Sequence, residues 1–252
     1  MPRNDNMNIL THAIYAPNDG GDAPVDYRSV GKMLGIKGLR YKDEATLLAL
    51  AATKRILDRI DLDAAARDRT AVIVSSNTGN LDTVAEVAQC IATSHVDETS
   101  AMALPNASSN ALAATLSIVF QLRGPNLMVC SGADGGLDAL ELATELLASG
   151  RADHALVLGV EVDNEAVRDL LGPSQRRFHG AAAVLVSRET RVGATPIQET
   201  APLADGVAPR DIHATFGDAS GATGLLQLIR ATEAPIPAGV THGDIAWQVA
   251  AA

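Results

Sequence analysis

Aromatic side chains are scarce: three Phe, three Tyr and one Trp in 252 residues, 3% of the chain. So few rings leave little with which to stack a base or a sugar. Cysteine is rarer still. Cys90 and Cys130 both fall in segments whose pattern predicts burial, so both are expected to be reduced core thiols rather than halves of a disulfide. There is no zinc-type cluster, and His12, His95, His154, His179, His213 and His242 fall in no metal-ligand spacing, so no metal is expected. No apolar run reaches the length of a membrane-crossing helix, and the opening MPRNDNMNIL lacks a basic stretch followed by an apolar one. A cytoplasmic chain without a membrane partner is expected. Positive charge is also short, 20 Lys+Arg against 30 Asp+Glu, and the resulting −10 opposes binding to a nucleic-acid backbone.

What is present is aliphatic. Hydrophobic residues make up 47% of the chain, enough to bury a sizeable core in one large domain or two small ones. Residues 8–15 form a short apolar run, and 18–24 a turn cluster. Leu47, Leu48, Ala51, Ala52, Ile56 and Leu57 recur at helical spacing and predict an amphipathic helix over 44–60. AVIVS, residues 71–75, reads as a buried strand, and SNTGN after it as a turn in which Gly79 and Asn80 suit positive φ, leading to a helix from about Leu81. A buried helix over 110–122 precedes a Gly-Pro turn, a strand over 127–130 and a helix over 137–149 that stops at Gly150. Strands follow over 154–159 and 181–187. Residues 190–211 hold three prolines and read as a connecting segment, before a last helix over 221–232 and a strand over 245–249. Strands alternating with helices predict an α/β protein whose sheet is mostly parallel and covered on both faces.

The turn VCSGADGG, between a strand and a helix, is where such a fold presents a nucleophile. Cys130, at the end of a strand, has no paired base in the sequence and reads first as a plain thiol. Ser131 sits in V-C-S-G-A and lacks the first glycine of a G-x-S-x-G elbow. Asp134 is expected to cap the helix that follows. SNTGN does not make a G-x-G-x-x-G, so no dinucleotide cofactor is expected. His154 continues a strand and is expected to be a hydrogen-bonded or surface imidazole.

From Pro105 to Glu161 the chain resembles the β-ketoacyl synthases of the thiolase superfamily: Leu122-Arg123-Gly124-Pro125, Gly136, Gly150, Ala152-Asp153 and Gly159-x-Glu161 occur in order without a gap. VIVSSNTGNLDTV, RRFHGAAAVLVSRE and HATFGDASGATG resemble further segments of that family, while the first 40 residues match only loosely. The resemblance implies a layered αβαβα fold in one domain, with residues 1–189 as the N-terminal half and 190–252 as a contracted C-terminal half. It also implies where the catalytic residues should stand. The family's cysteine falls on Ala133, its lysine on His213 and the histidine of its G-H pair on Asp218, and no histidine occupies the stretch between Arg188 and His213.

A methyl group cannot carry an acyl thioester, so the chain is expected to be inactive alone. The resemblance then implies a non-catalytic, chain-length-factor-like subunit, as in aryl-polyene-type clusters, that pairs with an active β-ketoacyl synthase and helps to shape the acyl tunnel. Dimerisation in the family runs through the strand that here holds Asn126, Leu127, Met128, Val129 and Cys130. Tunnel-gating positions fall on Thr78, Leu81 and Ala85, spaced as one helical face, and a further lining position on Ala103. An acidic acyl carrier protein is expected to dock mainly on the partner, and no cofactor is implied. Two alternatives remain open from the residues: a thioester hydrolase or transferase using Cys130 or Ser131, and a structural scaffold.

Overall fold

The structure, a computed structural model, describes residues 7–17, 25–172, 176–191, 193–200, 212–233, 239–242 and 245–249. The expected turn cluster over 18–24 lies outside the described residues. The strands are β1 (Met7–Tyr15), β2 (Thr70–Ser75), β3 (Asn126–Val129), β4 (His154–Glu161), β5 (Gly180–Ser187), β6 (Thr195–Thr200), β7 (Gly239–His242) and β8 (Ile245–Val249). The helices are α1 (Tyr27–Leu34), α2 (Glu44–Leu57), α3 (Ala64–Asp68), α4 (Leu81–Thr93), α5 (Ala111–Phe120), α6 (Gly135–Ala148), α7 (Glu165–Leu171), α8 (Ile212–Phe216) and α9 (Thr223–Thr232).

All eight strands form one sheet in the order β3-β2-β4-β5-β1-β6-β8-β7. Among the described residues, only β2 makes parallel pairs, with β3 and with β4, and the other five pairings are antiparallel. The sheet is therefore mixed, not mostly parallel. The reason lies between β4 and β5. A parallel return needs a helix that carries the chain back along the sheet, and the seven residues of α7 span roughly 10 Å against roughly 26 Å for an eight-residue strand. The chain reverses instead, and β5 runs back beside β4 with Leu156 opposite Leu185.

Alternation along the central strands divides the core. Val72, Val74, Leu156, Leu158, Ala183 and Leu185 face α2 and α5, while Ile73, Val157, Ala182 and Val184 face α6 and α9. Because both faces are covered, every residue of β2, β4 and β5 is buried. The Ala-Leu run of α2 buries ten of its residues, so this helix is held on nearly every side rather than by one stripe. Its start is fixed by Asp43, whose buried carboxylate accepts from the Thr46 N–H at 2.7 Å and from the Thr46 hydroxyl at 2.9 Å. Burial pushes the Asp43 carboxyl up, and these two bonds oppose it.

Several expectations are corrected. Residues 195–200, inside the stretch read as a connection, form β6, with Pro196 as its second residue opposite Asn8. Gly79 has positive φ but Asn80 does not. Asp134 stands at the N-cap of α6 with helical dihedrals and makes no capping bond.

His154 is neither surface-exposed nor bonded. It opens β4 between Thr70 and Ser187, 2% exposed, and neither ring nitrogen has a hydrogen-bond partner among the described residues. Burial holds its pKa below the ordinary histidine value. Below about pH 6.5 the unfolded imidazole takes up a proton that the folded one refuses. Stability should therefore be level above that pH and decline below it, by up to about 1.4 kcal/mol per pH unit, until the lowered folded pKa is passed. His154→Leu should flatten that slope in denaturant titrations between pH 5 and 8, and an unchanged slope would assign it to other groups.

Candidate functional site

The parallel strands β2, β3 and β4 end on the same edge of the sheet, so the three loops that leave them meet there. β2 runs into Ser76-Asn77-Thr78-Gly79, β3 into the turn Gly132–Asp134 at the start of α6, and β4 ends on Glu161. The fourth contributor is the turn Ser220–Ala222 that opens α9.

Glu161 joins them. Its carboxylate is 3% exposed, with Oε1 accepting from the N–H of Asn77 at 2.8 Å and of Gly221 at 3.1 Å. Oε2 accepts from the Thr78 N–H at 3.2 Å and the Thr78 hydroxyl at 2.6 Å. Burial raises the pKa of this carboxyl, and the four donors work against the rise. Asn77 adds a second tie. Its Oδ1 accepts from the Gly132 N–H at 3.0 Å, and its Nδ2 donates to the Gly132 carbonyl at 2.9 Å and to Ser220 Oγ at 2.5 Å.

The floor is filled as well. A Cβ on Gly221 would lie 2.7 Å from Ser75 Oγ and 2.9 Å from Glu161 Oε1, and one on Gly135 would also strike Ser75 Oγ. Only glycine allows the two turns to close this far over β2.

Ala133 is exposed in the middle of the Gly132–Asp134 turn and offers only a methyl group there. His213 is exposed on α8, and Asp218 spends its carboxylate on the Ser220 N–H at 3.0 Å. Of the stretch between Arg188 and His213, residues 192 and 201–211 lie outside the described residues. Both cysteine expectations fail: Cys90 is half-buried on α4 and Cys130 is exposed just beyond β3, because β3 is too short to carry it into the sheet. The Ser131 hydroxyl donates to Asp138, and no imidazole is bonded to it among the described residues, so the hydrolase reading gains no base.

Thr78, Leu81 and Ala85 do not share a helical face, because α4 begins only at Leu81 and Thr78 is held in the preceding turn by Glu161. Leu81 is half-buried against the α2–α5 core, Ala85 is exposed, and Ala103 is half-buried before the turn Leu104–Ala107. Of the thirteen residues of α4 only Thr83 is buried. Val84, Ile91, Val96, Met102 and Leu104 are exposed apolar side chains on and just after this helix, with Ile118 on α5. Exposed apolar side chains that gather into one patch mark interaction surfaces.

β3 is the end strand of the sheet, and its side chains are all half-buried. The Asn126 amide serves the interior, donating to the Ala113 carbonyl at 2.8 Å and Ser117 Oγ at 2.7 Å. The carbonyls of Pro125 and Val129 accept from the N–H groups of Val72 at 2.8 Å and Ser76 at 3.1 Å. With a period of two, the backbone of Leu127 also faces β2, and the N–H and C=O of Met128 face outward. What β3 presents is a backbone edge.

The residues that sequence reasoning missed are Asn77 and Ser220. Asn77 lies in a segment legible as a turn, but nothing local shows that its amide spans to Gly132. Ser220 has φ 39°, a strained value for serine, and only the small-residue run around it hints at so tight a turn.

A family model for the β-ketoacyl synthase N-terminal domain matches residues 34–192. A search of curated proteins returns no match. Among solved structures, the chain is similar to one described as the ishigamide ketosynthase/chain length factor, with a TM-score of 0.69 and 18% identity over 97% of this chain and 98% of that one. It is similar to the complex of the ketosynthase ApeO with its chain length factor ApeC from Xenorhabdus doucetiae, with a TM-score of 0.63 and 14% identity over 98% and 99%. A third is the type II polyketide complex AntDE:AntF, with a TM-score of 0.59 and 15% identity over 79% and 70%. At these identities the likeness is one of fold.

Proposed function

The chain belongs to the β-ketoacyl synthase family, and from that premise we propose that it is a non-catalytic, chain-length-factor-like subunit that pairs with an active β-ketoacyl synthase and helps to bound its acyl tunnel. The observation that carries this reading is Ala133, a methyl group on the turn that should hold the nucleophile, within a loop cluster whose polar groups bond to one another. The chain keeps the family's scaffold at this place without a group that can take an acyl chain.

The open edge of β3 and the uncovered apolar surface around α4 support a partner subunit. Structures of similar chains, described as ketosynthases with chain length factors, agree with that pairing. In this reading the whole chain is one ketosynthase-like domain, with 190–252 as its abbreviated half, and the carrier protein docks mainly on the partner. No helix of the described residues is long and apolar enough to cross a membrane, in keeping with a cytoplasmic complex.

The test is co-expression with the ketosynthase encoded beside its gene, purification through a tag on this chain, and light scattering for mass. A stable one-to-one pair is expected. A well-behaved solitary protein that ignores the ketosynthase would sink the proposal. In an intact pair, Ala85→Trp should shorten the products by one or more extender units, because the exposed methyl of Ala85 leaves room that an indole would fill. Unchanged product length by mass spectrometry would remove Ala85 from the gate.

A further inference from the structure

Residues 95–105 have little to hold them by burial: all are exposed except Thr99 and Ala103, which are half-buried. Met102 and Leu104 are 64% and 46% exposed. Yet the turn Leu104–Ala107 has a defined place, and the reason is polar. Asn106, buried, donates from Nδ2 to the carbonyls of Tyr41 at 2.9 Å and Met102 at 3.2 Å, while its Oδ1 accepts from Lys42 Nζ at 2.7 Å. Lys42 Nζ also donates to Thr115 Oγ1 on α5 at 2.9 Å. From the opposite side, Asn80 Nδ2, next to the start of α4, donates to the carbonyls of Asn106 and of Ser108.

Lys42 is an unusual choice for a clamp. Both acceptors of its ammonium are neutral, and burial lowers its pKa even though Asp43 pulls the other way. A cation that is half-buried without a bonded carboxylate costs stability, so its bonds act through geometry. That geometry ties the turn carrying Ala103 to α5 and to the first residues of α4, where Leu81 stands.

We infer that Lys42 is a positioning residue for product length: through Asn106 it holds the turn Leu104–Ala107 against α5 and the start of α4, next to Leu81 and Ala103, which are proposed to bound the acyl tunnel. This rests on the proposed role as a tunnel-shaping subunit. The flanking side chains suit such a ligand, since Leu81, Ala85, Met102, Ala103 and Leu104 are all apolar.

The test uses Lys42→Met, which keeps an unbranched apolar stem and deletes the donors, and Lys42→Arg, which keeps a cation. In hydrogen exchange on the isolated chain, Lys42→Met should speed the amides of residues 102–108 by about tenfold while the strands are unaffected. In the complex with the active ketosynthase it should broaden the products by one or more extender units, with total turnover within about twofold and Lys42→Arg restoring the original distribution. Unchanged exchange would overturn the clamp. Unchanged products from Lys42→Met, where Ala85→Trp does shorten them, would overturn its role in length and leave the tunnel reading standing. If neither variant alters product length, the tunnel reading fails and the length role with it. Loss of the complex on Lys42→Met would also overturn the proposal, placing the clamp in assembly.

Discussion

Met128→Pro is expected to weaken the proposed pairing with a ketosynthase by at least about 100-fold while leaving the chain folded. Proline removes one backbone N–H and fixes φ, and it is tolerated on an edge strand only where that N–H faces away from the sheet. The bonds from Val72 and Ser76 to the carbonyls of Pro125 and Val129 place Met128 in that outward register. Pairing with a partner strand needs the outward N–H, and the proline ring would also stand against the approaching chain. Val129→Pro is the control. Its N–H faces β2, so that substitution should cost about 3 kcal/mol of stability and lower the amount of soluble protein. Tag purification followed by light scattering reads the first effect, and thermal unfolding of the isolated chain the second. A Met128→Pro chain that still forms the one-to-one pair would show that the partner does not bind through the β3 edge.

Glu161→Leu is expected to destabilise the chain by about 4 kcal/mol, one of the largest losses available to a single side chain. The substitution removes the acceptor of three backbone N–H groups, those of Asn77 and Thr78, which are half-buried, and of Gly221, which is buried, and strips the Thr78 hydroxyl of its partner. Glu161→Gln should not rescue this fully. Each carboxylate oxygen accepts two donors, so whichever way the amide is turned its NH2 meets two more N–H or O–H groups. A loss of about 2 kcal/mol is expected for glutamine, and denaturant titration measures both. Equal stability of the Gln variant and the original chain would mean that the carboxyl is protonated and the Thr78 hydroxyl turned to accept from it.

These two residues differ in how visible they are from the sequence. β2, α6 and the helix stop at Gly150 follow from composition and periodicity, because buried aliphatic runs and a left-handed glycine are local features. Strand direction is not local. Whether β5 returns beside β4 depends on the length of α7, and β1 finds its place between β5 and β6 only when the whole sheet is assembled. Pro196 hid β6 for a related reason: near a strand end a missing N–H is tolerated, but a sequence shows the proline and not the ladder around it. Ala133 came into view only through the family resemblance, which places the nucleophile by its distance from Gly124-Pro125. The bonds of Glu161, Asn77 and Lys42 were not legible, since each joins residues more than 50 positions apart. Thr78 shows how the two kinds of information conflict. The family resemblance placed it with Leu81 and Ala85 on one helical face, whereas a carboxylate 83 residues away keeps it in the turn.

The outward edge of β3 also bears on how much of this protein a cell can hold. Each chain made without a partner exposes the outward backbone groups of β3, and the available chemical match is another strand edge. Surplus copies would be drawn to one another, with self-association rising as the square of their concentration. If the proposed pairing holds, balanced synthesis of the two subunits would limit that self-association, and a surplus of this chain would show first as a rise in its average mass with concentration.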